Sequence, residues 1–139
     1  MPAEFDVPTQ DAAIAAILIT LGEDAFVRVF TGSRPAACID ADTGVKLAEF
    51  TLADVWFSAP VTGGQGSQSG VFNTDALAPG VPQYIRYYSS NGTCRIQMPV
   101  YVAPTPIPLD GGAQVSHSPW VEDEPVRIAS ALFKARITP

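Results

Sequence analysis

Charge is what this sequence has least of. Asp, Glu, Lys and Arg make up 16% of its 139 residues, against about 25% in ordinary soluble proteins. A small monomer spends more of its surface on charge, so part of the 47% apolar content is free to cover a partner, which points toward an oligomer or an assembly. Positive charge is scarcer still: eight Lys and Arg stand against fourteen Asp and Glu, for a net charge of −6. The eight are scattered over Arg28, Arg34, Lys46, Arg86, Arg95, Arg127, Lys134 and Arg136. With no basic stripe, nucleic acid is excluded as a partner, because displacing its counterions takes clustered cations. Long hydrophobic runs are missing too. The longest, from Ala12 to Leu21, is about half a bilayer span, and acidic residues precede it where an export signal would be basic. Neither a membrane anchor nor Sec-type export is expected.

Histidine and cysteine are nearly absent. One histidine, His117, and two cysteines, Cys38 and Cys94, are too few for a zinc site or a disulfide framework. The cysteines read as reduced thiols, with a bridge, within one chain or between copies, as the alternative. A hydrolase needs a nucleophile, a base and an orienting acid. No G-x-S-x-G elbow accompanies His117, which reads as a solvent-facing loop residue. The glycine-rich "GGQGSQSG" (63–70) lacks the Lys-Ser/Thr of a phosphate loop and reads as a flexible surface loop. "DADTG" (40–44) opens like a calcium loop, but position 6 is Val45 and position 12 is Thr51, where Gly and Glu are required. A turn whose Asp side chains satisfy nearby backbone is the better account. Glu122, Asp123 and Glu124 form a solvated acidic turn, and Asn91-Gly92-Thr93 matches the glycosylation pattern only because a hairpin turn sits there. No catalytic residue, metal ligand or cofactor is expected, and the chain is read as a non-enzyme.

What the sequence does have is turns and alternation. Half of the thirteen prolines and eleven glycines, six of each, lie in 58–70, 103–112 and 116–125. Between them lie strand-like runs: "AFVRVFT" (25–31), "VKLAEFTLA" (45–53), the weaker "VFNTDALA" (71–78), the hairpin "QYIRYYSSNGTCRIQMPVYV" (83–102) around Asn91-Gly92, and the closing "PVRIASALFKARI" (125–137). Phe26, Arg28 and Phe30 oppose Val27 and Val29, while Tyr84, Arg86 and Tyr88 share one face. Residues 1–8 read as an extended arm. Ile14, Ile17, Leu18 and Leu21 fall on one helical face, which predicts a single N-terminal α-helix over 9–22. The fold class is therefore mostly β: an antiparallel β-sandwich or jelly-roll-like unit over 9–139 with that helix. The rings of Tyr84, Tyr87, Tyr88, Tyr101, Trp56 and Trp120 suit an interface, a core or a sugar-binding platform.

The order of these features carries a resemblance. "RVFTGSRPAACIDADTG" is followed by "VKLAEFTLADVWFSAP", a Gly/Ser-rich loop and a polar hairpin, and the chain closes on "EPVRIASALFKARI". This resembles a group of small virion-associated structural proteins of tailed bacteriophages, over roughly residues 10–137. The matching motifs are Thr31-Gly32-Ser33-Arg34-Pro35 and Leu47-Ala48-Glu49-Phe50-Thr51-Leu52-Ala53-Asp54 with Phe57. The Pro-rich stretch at 103–112 and the two cysteines stand outside the pattern. The resemblance implies a capsid decoration or cement protein, assembled in the host bacterial cytoplasm and located on the virion. It would act as a homo-oligomer that contacts the major capsid protein or other virion proteins. A neck or tail component, or a carbohydrate- or receptor-binding module, is the alternative. Interfaces draw most of their energy from a few aromatic and Arg anchors, which singles out Arg34, Trp56, Tyr84, Tyr88 and Trp120.

Overall fold

Eight strands follow one another along the chain in a computed structural model that describes residues 24–52, 65–108 and 111–134, together with Ala16 and Leu21. They are β1 (Phe26–Phe30), β2 (Lys46–Thr51), β3 (Gln65–Ser67), β4 (Phe72–Asp75), β5 (Tyr84–Tyr88), β6 (Cys94–Val102), β7 (Gly112–Val115) and β8 (Pro125–Lys134). The fold is mostly β, as expected. The arm at 1–8 lies outside the described residues, and so does the helix expected over 9–22 apart from an exposed Ala16 and a buried Leu21.

The strands form one sheet in the order β2-β1-β5-β6-β7-β8-β3, with β4 also paired to β8. All neighbours are antiparallel except β6 and β7, which run parallel. β3 and β4 lie end to end on one edge of β8, pairing with 132–134 and 125–128 respectively. The sheet curls until its ends meet: the Leu77 N–H, just past β4, donates to the Leu47 carbonyl of β2 at 2.7 Å. The result is nearly barrel-shaped. A curled closed sheet and a sandwich share the same in-out alternation, so the sequence pattern alone does not separate them.

Bulges bend the sheet at three places. The β1–β2 register skips Leu47, so Leu47 and Ala48 are both buried and the Leu47 carbonyl is free to close the sheet. The β5–β6 register skips Arg95. The β7–β8 register skips Ala129, and there β8 changes face: Val126 and Ile128 point inward on one side of the skip, Ala131 and Phe133 on the other. Val27, Val29, Phe50, Ile85, Tyr87, Val115 and Ile128 fill the interior, together with Trp120. Trp120 is held by paired backbone bonds to Gly80 of 3.0 and 2.8 Å and by its indole N–H donating to the His117 carbonyl.

Candidate functional site

β5 is buried along its whole length, on both faces. Its inward face, Ile85 and Tyr87, belongs to the core. Its outward face, Tyr84, Arg86 and Tyr88, is covered by the β1–β2 connection, residues 31–45. Closing that connection requires a sharp return. The Thr31 N–H donates to the Val45 carbonyl at 3.0 Å, the Val45 N–H donates to the Thr31 hydroxyl at 3.0 Å, and Gly44 supplies a φ of +74°.

Arg86 holds the loop from beneath. Its Nη1 donates to the Asp42 carboxylate at 2.7 Å and to the Asp40 carbonyl at 2.9 Å; its Nη2 donates to the Ala37 carbonyl at 3.1 Å. Nε and Nη2 both reach the Gln97 side-chain oxygen, at 3.2 and 3.0 Å, and the Gln97 amide donates to the Pro35 carbonyl at 2.8 Å. Arg86 is only 2% exposed. Burial opposes its charge, but hydrogen bonding to Asp42 leads the opposing effects and its pKa stands above the ordinary value. The tyrosines complete the fastening. Tyr88 donates to Asp42 at 2.6 Å; Tyr84 donates to the Thr43 carbonyl at 2.6 Å and accepts from the Thr43 N–H. Phe26 stacks on Tyr88 and Phe30 on Tyr84, each pair with centroids 5.1 Å apart. Arg28 lies over the Phe26 and Tyr88 rings and pairs with Glu49 at 2.7 Å.

The upper surface of the loop is open. Ile39 is 94% exposed at its tip, and Arg34 is exposed at its shoulder. Beside the tip runs an open groove of about 650 Å³, bordered by Arg28, Cys38, Asp42, Tyr88, Cys94 and Arg95 among others. Both cysteines are free and half-buried.

Of the five residues expected to anchor an interface, only Arg34 lies on the described surface. Tyr84, Tyr88 and Trp120 are buried and bonded within the chain, Tyr88 at the border of the groove, and Trp56 lies outside the described residues. The acidic loop divides in two. Asp40 does accept from the nearby Ala37 N–H at 3.1 Å, whereas Asp42 serves β5, 44 residues away. His117 is not simply solvent-facing: its Nε2 meets Glu124 at 3.0 Å and its Nδ1 meets the Ser116 hydroxyl at 3.1 Å. Glu124 also accepts from the Val121 N–H at 2.7 Å, so the group ties the β7–β8 turn. Among the described residues, no three His, Cys, Asp or Glu side chains gather where they could hold a metal, and no helix is long and apolar enough to cross a membrane.

Gln97 and Ile39 were not singled out from sequence, and Arg86 was placed on a face with Tyr84 and Tyr88 but given no role. The available signal was a cation flanked by two tyrosines on one strand face, matched by the acidic loop between β1 and β2. No family model, no curated protein and no solved structure matches this chain.

Proposed function

We propose that this chain is a contact-making structural protein of a tailed-bacteriophage particle, decorating the head as a homo-oligomer that binds the major capsid protein or its neighbours. The observation that carries the contact role is the 31–45 loop. A buried arginine fastens it from below while an isoleucine stands almost fully in solvent at its tip. A loop ordered before binding loses little entropy on docking, and an apolar tip gains by being covered. The virion assignment rests on the sequence resemblance, the low charge and the apolar excess. A sandwich-like flattening of the curled sheet belongs to the same proposal, since it leaves loops as the contact surface. A sugar-binding role is less well supported, because stacking needs ring faces that Tyr84, Tyr87 and Tyr88 do not present.

The test is copy number on purified particles that carry the chain, measured by quantitative mass spectrometry against the major capsid protein. A fixed fraction near one copy per capsid subunit supports head decoration. A handful of copies per particle would move the protein to the neck or tail. Ile39→Asp is expected to weaken attachment to particles about tenfold or more at unchanged Tm.

A further inference from the structure

We propose that Cys38 and Cys94 form a reversible disulfide site that locks the 31–45 loop onto the β5–β6 hairpin, taking a small-molecule disulfide such as oxidised glutathione as its oxidant. This does not depend on the phage assignment. The two residues are 56 positions apart in the chain, yet both border the same groove, where the Cys94 thiol donates to the Ile96 carbonyl at 3.5 Å. The fold imposes that meeting. Arg86 grips the carbonyls of Ala37 and Asp40, on either side of Cys38, and so fixes the loop above β5. Cys94 opens β6 opposite Tyr88, one residue before the bulge at Arg95. The pair is half-buried at an open groove, so a small oxidant has access.

The chemistry has a preferred order. Burial, followed by the hydrogen bond and charge of Cys38, pushes the Cys94 thiol up to about 12. Because the thiolate is the nucleophile, Cys38 attacks first. Its S–H proton goes to solvent, its sulfur bonds to one glutathione sulfur, and the second glutathione leaves as a thiolate. Cys94 then loses its proton and displaces the remaining glutathione from Cys38. Two S–H bonds and the oxidant's S–S bond have been exchanged for the Cys38–Cys94 bond and two molecules of reduced glutathione.

The full chain, reduced and then exposed to oxidised glutathione at mildly alkaline pH, is expected to lose the mass of two hydrogens per chain and to form no bridge between chains. A Cys38–Cys94 linked peptide should appear on non-reducing digestion, and dithiothreitol should reverse the change. The long segment closed between 38 and 94 should raise Tm by about 5 °C or more. C94S should retain a glutathione adduct on Cys38 instead, and C38S should acquire one far more slowly. The proposal is overturned by stable glutathione on both cysteines of the wild-type chain, or by bridges only between chains. It also fails if the folded chain keeps its mass under conditions that oxidise the same chain in guanidinium, or if the bridged form melts below the reduced one.

Discussion

A guanidinium has five N–H donors, and Arg86 uses all five: two on Gln97, and one each on Asp42 and the Asp40 and Ala37 carbonyls. Lysine, with three donors on a point charge, cannot reproduce that fork. Arg86→Leu strands these acceptors beneath the loop. Because Asp42 is partly exposed, solvent offsets some of the loss, and the expected cost is about 2–3 kcal/mol, read as a lower urea midpoint at unchanged slope. Arg86→Lys should recover less than half of it. A second residue-scale expectation concerns pH. The hydrogen bond from His117, and then the one from the Val121 N–H, hold the Glu124 carboxyl below its ordinary value of 4.5. A lowered folded pKa stabilises above the unfolded value and loses that contribution as pH falls through the folded one. The stability gap between wild type and Glu124→Gln should therefore be present near about pH 6 and shrink toward about pH 3. A gap unchanged across that range would contradict the assignment.

At the scale of elements, the loop depends on its return. An added Cβ at Gly44 would run into the Thr31 carbonyl oxygen, and the φ of +74° is strained for any L-residue. Gly44→Ala is expected to cost at least about 2 kcal/mol, seen in thermal melts, and to make 36–42 more sensitive to protease than β5. How legible these elements were in the sequence follows from period and spacing. β1, β2, β5, β6 and β8 were readable from their runs of β-branched and aromatic residues, and β4 only weakly, since Phe72 is its one apolar residue. β3 and β7 were not, being three and four residues long, β3 inside the Gly-rich stretch 58–70 and β7 wedged between the joints at 103–112 and 116–125. Alternation was also misleading in β8, where the bulge at Ala129 exchanges the faces that Val126 to Phe133 would otherwise keep. The Asn91-Gly92 hairpin was placed correctly, but its turn is longer than two residues. The Ser89 N–H donates to the Thr93 carbonyl, and Gly92 alone takes the positive φ. In the candidate site, the shared face of Tyr84, Arg86 and Tyr88 followed from strand geometry. That a loop 44 residues upstream covers this face did not, because pairing across such a distance has no local signature.

At the scale of the molecule, the sheet order places chain-distant strands side by side. β1 meets β5, and β8 gathers β3, β4 and β7. Closure from Leu77 to Leu47 links the two ends of this order. The core and the candidate site are thus not separate regions. β5 contributes Ile85 and Tyr87 to one and Tyr84, Arg86 and Tyr88 to the other, so a change on its outer face is transmitted to the interior through a single backbone.

That position makes β5 a clock for the whole protein. Its edges are paired to β1 and β6 and both its faces are covered, so no small opening admits solvent to its amides. Backbone hydrogens of 85–87 should trade with deuterium at the rate set by complete unfolding, while those at the loop tip, around Ile39, trade through local motions. Protection in β5 then reports global stability in every variant described above, and a tip-like rate in β5 would mean that the loop opens as a lid independent of the sheet.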